Sequence, residues 1–170
     1  MIEELESLER ESIKRKIPII GSEKGAWLRN KVEEEKAEHI LELGTANGYS
    51  GIILGSEGAQ LTTIEMNPKV AEEARENFKK FNTKAKVIVG DALVEIKKLV
   101  SFPLNLEMYD MIFLDFANKQ YITVLEDCIR LARKGGLIIA DNVFLEKCQD
   151  YLETVKDHYK LETEIVEIGN

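Results

Sequence analysis

The chain has 170 residues, 44% of them hydrophobic and 32% charged, with a net charge of −8. That is enough apolar material to bury one core, and the negative balance argues against a broad nucleic-acid-binding face. No apolar stretch reaches the roughly 18 residues of a membrane span, and the opening MIEELESLERESIKRK is too charged for a secretion signal. The expectation is a cytoplasmic protein acting on something small, making no membrane contact. Cys128 and Cys148 lack metal or redox spacing and are expected to be free thiols.

In chain order, Ile2, Leu5, Leu8 and Ile13 recur among charges, the pattern of an amphipathic helix over Ile2–Lys16. Pro18 and Gly21 break the chain, and Gly25–Lys36 reads as a second helix with Trp27, Leu28 and Val32 inward. Strands and helices then alternate. The first strand is His39–Leu43, with a helix starting near Ser50. The second is Gln60–Glu65, where Asn67-Pro68 supplies an N-cap and first-turn proline for a helix to about Phe81. The third is Ala85–Val89, followed by a helix from Ala92 to Val100. The fourth, Tyr109–Leu114, has the continuous apolar run of a strand covered on both faces. A helix from about Lys119 to Arg133 follows, closed by Lys134-Gly135-Gly136 as a left-handed cap. Leu137–Ala140 is the fifth strand, Leu145–His158 a last helix and Lys160–Glu167 a sixth strand. This alternation predicts an α/β fold, a doubly wound and mostly parallel sheet. With no repeat or linker, 1–170 reads as one domain, its first 36 residues a helical cap and 37–170 the α/β core.

Such sheets bind ligands beyond the carboxyl ends of their strands. The residues delivered there are polar: Glu42, Gly44, Thr45, Asn47, Gly48, Tyr49 and Ser50 after the first strand, Glu65 after the second, Gly90-Asp91 after the third, Asp115 after the fourth and Asp141-Asn142 after the fifth. Asp and Asn are ordinary turn formers, but an acid at all five strand ends exceeds what turn propensity explains. Glu65 stands 21 residues after Gly44, near the spacing at which an acid accepts hydrogen bonds from ribose hydroxyls. The loop G-T-A-N-G-Y-S-G places three residues, not one, between its first two glycines, so a dinucleotide is disfavoured. An adenosine-bearing ligand without a pyrophosphate fits better.

The segments Gly21-Ser22-Glu23-Lys24-Gly25, LELGTANGYSG, TIEMNP, VGDA, YDMIFLDFANKQY and GGLIIADNV, in that order over Ile20–Val143, resemble class I S-adenosylmethionine-dependent methyltransferases. Within that class they resemble the metal-dependent O-methyltransferases of the catechol and caffeoyl-CoA type. The resemblance implies a Rossmann-like methyltransferase fold and S-adenosylmethionine as cofactor. Gly44 and Gly48, with Thr45, Asn47 and Tyr49, would pass close to its methionine part. Ser50 would bind its carboxylate and Glu42 its ammonium. Glu65 would hold the ribose and Met66 pack on the adenine, with Asp91 and Ala92 at the adenine edge. Ile20 and Gly21 would close over the cofactor, and Asp115 would lie beside the sulfonium. Asp115, Asp141 and Asn142 match the three protein ligands of a divalent cation. Their oxygens suit Mg²⁺ first, with Mn²⁺ or Ca²⁺ as alternatives. Such a metal would lower the pKa of an acceptor hydroxyl and aim it at the methyl group.

The chain departs from the family in two places. Family members usually carry a lysine, as general base, where this sequence has Asn118; the neighbouring Lys119 is the substitute candidate, so Asn118, Lys119 and Asp115 form the catalytic set. The sequence also ends at Gly169-Asn170, where the turn to a seventh, antiparallel strand is expected, so the sheet is expected to lack that strand. The leading expectation is an O-methyltransferase for a small hydroxylated molecule. One alternative is a hydroxylated nucleoside of tRNA, held by a basic rim of Lys14, Arg15, Lys16 and Lys24 against an unfavourable net charge. Another is cofactor binding without turnover. A homo-oligomer is compatible with the sequence.

Overall fold

The computed structural model describes residues 2–101 and 108–169. Strands β1 (His39–Leu43), β2 (Gln60–Glu65), β3 (Ala85–Val89), β4 (Tyr109–Leu114) and β5 (Ala132–Ala140) pair in parallel, in the order β3-β2-β1-β4-β5. The chain winds outward from β1 through β2 to β3, then returns to the other side of β1 for β4 and β5. The direction of winding therefore reverses between β1 and β4. A crevice at their carboxyl ends follows from that topology.

Alternation along the strands divides the core into two. Ile40, Leu61, Met111 and Phe113 pack with Leu8, Leu28, Val32, Ile52 and Phe78. These come from α1 (Ile2–Lys14), α2 (Gly21–Glu35), α3 (Tyr49–Leu54) and α4 (Pro68–Lys80). Leu41, Leu43, Ile64, Ile112 and Leu114 face the opposite way, onto Ile96, Tyr121, Leu125, Tyr151 and Val155. That layer is made by α5 (Ala92–Ser101), α6 (Tyr121–Leu131) and α7 (Gln149–Asp157). Strands covered on both faces need apolar residues at successive positions, which is why β1 and β4 lack polar–apolar alternation. The fold is doubly wound α/β. Among the described residues no helix is long and apolar enough to cross a membrane. Cys128 and Cys148 are free and buried.

Several boundaries differ from expectation. The first helix ends at Lys14, and its buried stripe runs through Leu5, Leu8 and Ser12 rather than on to Ile13, which is 63% exposed. Ser12 Oγ donates to Leu8 O (2.7 Å) and accepts from Asn47 Nδ2 (2.7 Å), so the hydroxyl is buried with both its roles used. α2 begins at Gly21, four residues before the expected Gly25. α6 is preceded by a 3₁₀ turn over Asn118–Gln120 and stops at Leu131. Ala132 leaves the helix in extended conformation and pairs with Tyr109, and β5 starts there. The register then shifts, because Met111 pairs with Leu137. Lys134-Gly135-Gly136 is thus a distortion within β5 rather than a helix cap. Arg133 Nε reinforces it by donating to Asp110 Oδ1 at 2.6 Å. The last helix splits into a 3₁₀ turn over Glu146–Cys148 and α7.

The sixth strand does not form: no strand is assigned over 160–167. Leu161 packs against the core, but Ile165 and Val166 are 40% and 41% exposed. Extending the sheet there would satisfy backbone groups yet bury little apolar surface, and burial is the larger driving force.

Candidate active site

Backbone hydrogen bonds continue past the strand ends and set the site. Asp115 N–H donates to Leu43 O (2.9 Å) and Asp141 N–H to Leu114 O (3.0 Å). Leu114 pairs with Ala140, so Asp115 and Asp141 stand side by side one residue beyond the sheet. Gly44 follows β1 with φ 103°, a left-handed conformation that side chains rarely adopt, and its α-carbon lies against the Asp115 carbonyl. β1 and β4 approach closely at the switch point because this residue has no side chain.

A cavity of about 520 Å³ opens there. Of the residues expected to bind a cofactor, Gly44, Thr45, Asn47, Tyr49, Ser50, Glu65, Met66, Asp91, Ala92 and Asp115 line it, as do Asn118 and Asn142. Ile20, Gly21, Glu42, Gly48, Lys119 and Asp141 are not part of its lining. In place of Ile20 and Gly21, the segment before α2 contributes Pro18 and Ile19. Beside Phe116, Ala117 and Gln120 add a wall that was not anticipated. The YDMIFLDFANKQY segment contained that signal, since all three residues follow Asp115 within five positions.

Glu42 does not reach the cavity. It is fully buried and accepts hydrogen bonds from Ser50 Oγ (2.5 Å) and Thr63 Oγ1 (2.6 Å). Thr63 donates to Glu42, so Thr45 is left to donate to Thr63 (2.5 Å). Three hydroxyls therefore run toward one carboxyl. Ser50 Oγ is thus tied to Glu42. Burial outweighs these donors and, helped by the charges of Asp115 and Glu65, pushes the Glu42 pKa up to about 8 from 4.5. The folded protein then keeps a proton that the unfolded chain releases above about pH 4.5, so this contribution to stability falls as pH rises from there to about 8. Glu42→Gln should make the decline in thermal stability between pH 5 and 8 shallower. An unchanged slope in calorimetric melts would refute that assignment.

The glycine loop is held from three sides. Glu65 accepts from Ala46 N–H (Oε2, 3.0 Å) and Asn67 N–H (Oε1, 2.9 Å), which fixes its carboxylate at the cavity with lone pairs to spare. Asn77 Nδ2 donates to Asn47 O (2.8 Å). Because Ser12 gives its hydrogen to Leu8 O, the Asn47 amide must donate to it, and Asn47 Oδ1 is left buried without a partner among the described residues. Asp91 Oδ1 accepts from Leu93 N–H (2.9 Å), so it caps α5 while bordering the cavity.

At the other end, Asn118 donates from Nδ2 to Tyr121 Oη (3.1 Å) and to Asp141 O (3.3 Å), and Tyr121 Oη donates to Leu114 O (2.9 Å). Both amide hydrogens are committed, and the residue braces the ends of β4 and β5. Lys119 is exposed in the middle of the 3₁₀ turn and is not among the residues lining the cavity. The cation near the two aspartates is instead Lys24 from α2, whose Nζ lies 2.6 Å from Asp141 Oδ1. That contact was not foreseen, because the partners are 117 residues apart. Burial and the neighbouring Asp141 push Asp115 up to about 7, with Lys24 acting against them. Arg15, part of the expected basic rim, is spent on Glu73 through contacts of 2.6 and 2.8 Å.

No group of three or more His, Cys, Asp or Glu side chains among the described residues is placed to hold a metal ion. The donor set is two carboxylates and the Asn142 amide, all hard oxygens, with like charges side by side. A divalent cation would relieve that repulsion and draw its remaining ligands from water or an acceptor. The residues present fit such an ion.

The family model for O-methyltransferases matches residues 1–162, and the chain belongs to that family. Among its relatives are catechol O-methyltransferase B of Danio rerio, 34% identical over 145 residues, and the catechol O-methyltransferase of Sus scrofa, 32% identical over 148. Each alignment takes in 81% of this chain, but 54% of the first protein and 77% of the second, so the chain spans about half the length of the Danio rerio relative. The O-methyltransferase of Bacillus cereus, solved in complex with SAH, superposes with a TM-score of 0.74 at 29% identity, covering 90% of this chain and 71% of that one.

Proposed function

We propose that this chain transfers a methyl group from S-adenosylmethionine to a hydroxyl oxygen of a small acceptor, with a divalent cation held by Asp115, Asp141 and Asn142. The observation that carries the reading is one cavity bordered by Glu65 and Asp91 at one end and by Asp115 and Asn142 at the other. The SAH complex of the Bacillus cereus relative supports the cofactor, and the catechol O-methyltransferases support a hydroxylated acceptor.

When bound, the cation would lower the pKa of the acceptor hydroxyl and orient its oxygen, and the cofactor would supply the methyl group on a sulfonium. The chain's own residues do the rest. Glu65, fixed by two backbone N–H groups, accepts from the ribose hydroxyls. Gly44 lets β1 close on Asp115 at the cavity, and Met66, 69% exposed, offers apolar surface to the adenine. Asp115 faces the positive charge of the sulfonium. Asn118 accepts no proton; it keeps the ends of β4 and β5 at a fixed separation, so catalysis depends on alignment.

Incubation with methyl-labelled cofactor and a panel of catechols, other hydroxylated small molecules and bulk tRNA, with Mg²⁺ or EDTA, tests the proposal. Label should enter a small hydroxylated acceptor and vanish with EDTA. Label in tRNA alone would overturn the acceptor class. Glu65→Ala should weaken S-adenosylmethionine binding in calorimetry by roughly 1.5–3 kcal/mol, the worth of a hydrogen bond to a charged group. An unchanged affinity would reject the ribose assignment.

A further inference from the structure

Lys24 enters the site from α2, an element that otherwise belongs to the opposite side of the cavity mouth. The Lys24 side chain is 31% exposed and the Asp141 side chain 14% exposed, so the pair is largely shielded from solvent. Asp141 Oδ1 also accepts from the Asn142 N–H at 2.8 Å, which gives that oxygen two donors. The residues just before α2, Pro18 and Ile19, line the cavity. The Lys24–Asp141 contact therefore fastens the N-terminal edge of the cavity to the end of β5.

We propose that Lys24 is the resident counter-cation of the candidate metal site, and that it competes with a divalent cation for Asp141. This rests on the metal reading above. Asp115 and Asp141 are adjacent carboxylates, and Lys24 is the basic group that offsets them. An ammonium and a divalent ion that share one carboxylate repel each other strongly in a site this shielded. Binding of the ion loosens the ammonium from Asp141, and with it the tether on the start of α2. The tether in turn weakens the ion's hold. Cation occupancy and the position of the segment that includes Pro18 and Ile19 are thereby linked, and the linkage is reciprocal.

The test is a Mn²⁺ titration followed by electron paramagnetic resonance, on the full chain and on Lys24→Met, Lys24→Arg and Asp141→Ala. Lys24→Met should bind Mn²⁺ about tenfold more tightly or better, since it removes a like charge, and Lys24→Arg should stay near the parent. Asp141→Ala should lose binding. Hydrogen exchange of the amides over 19–25 gives a second measurement, which on the parent chain needs no substitution. Mg²⁺ should speed it in the parent, whereas Lys24→Met should be fast with or without the ion. Equal or weaker Mn²⁺ binding by Lys24→Met, with binding still lost in Asp141→Ala, overturns the competition and leaves the metal site standing. Absence of Mn²⁺ binding in both parent and Lys24→Met overturns both. An exchange rate over 19–25 that ignores Mg²⁺ in the parent also overturns the tether.

Discussion

Asp141→Ala should lower metal-dependent methyl transfer by about a thousandfold, near 4 kcal/mol of barrier, the scale of the several kcal/mol that a Lewis acid supplies. Asp141 continues the ladder of β5 through its bond to Leu114 O, so its carboxylate is placed by the sheet and no neighbour can take its position. The substitution leaves Asp115 and the Asn142 amide, a donor set with half the charge. Asp141 is not part of the cavity lining, whereas Glu65, Asn47 and Asp91 are. Cofactor affinity should therefore stay within about threefold of the parent, since uniform binding is untouched. Parallel measurement of kcat/KM and calorimetric affinity separates the two effects. Transfer that survives both the substitution and EDTA would remove the metal from the mechanism.

Gly44→Val should be the most destabilising single change at the site, by at least about 4 kcal/mol. Two separate penalties set that figure: the cost of a left-handed backbone for a β-branched residue, and a steric collision that cannot relax. The φ of 103° supplies the first, and the carbonyl of Asp115, a residue anchored to the sheet by its N–H bond to Leu43 O, supplies the second. Gly48 is a useful contrast. It has φ 89°, but an added methyl would meet the Phe78 ring at 3.1 Å, and a side chain can shift. Gly48→Ala should cost about 1–2 kcal/mol, the strain alone. Urea denaturation of the two variants would rank them, and equal losses would show that the Asp115 contact is not what the first glycine accommodates.

The boundaries of β1 to β4 were legible because each is a short apolar run ended by glycine or an acid, signals that act within a few residues. The cluster of polar residues at the cavity was legible for the same reason, since topology brings strand ends together whatever the side chains do. What escaped were choices made by distant partners. Ala132 has helical neighbours on one side, but pairing with Tyr109 pulls it into β5. Ile165 and Val166 have strand propensity without a surface to cover, and they stay half-exposed. Glu42 follows the apolar run as a cavity acid would, yet two hydroxyls from other elements enclose it. Lys24 looked like a rim lysine until Asp141 was placed beside it.

The buried Ser12 gives α1 a role that its own position conceals. Among the described residues, α1 contributes no atom to the cavity lining, yet the Leu8–Ser12–Asn47 chain and the Asn77 bond hold the glycine loop between α1 and α4. The entropy of ordering that loop is lost during folding, before any ligand arrives. The first helix is thus a preorganising element, and its contribution would surface as affinity for a small molecule that it never touches.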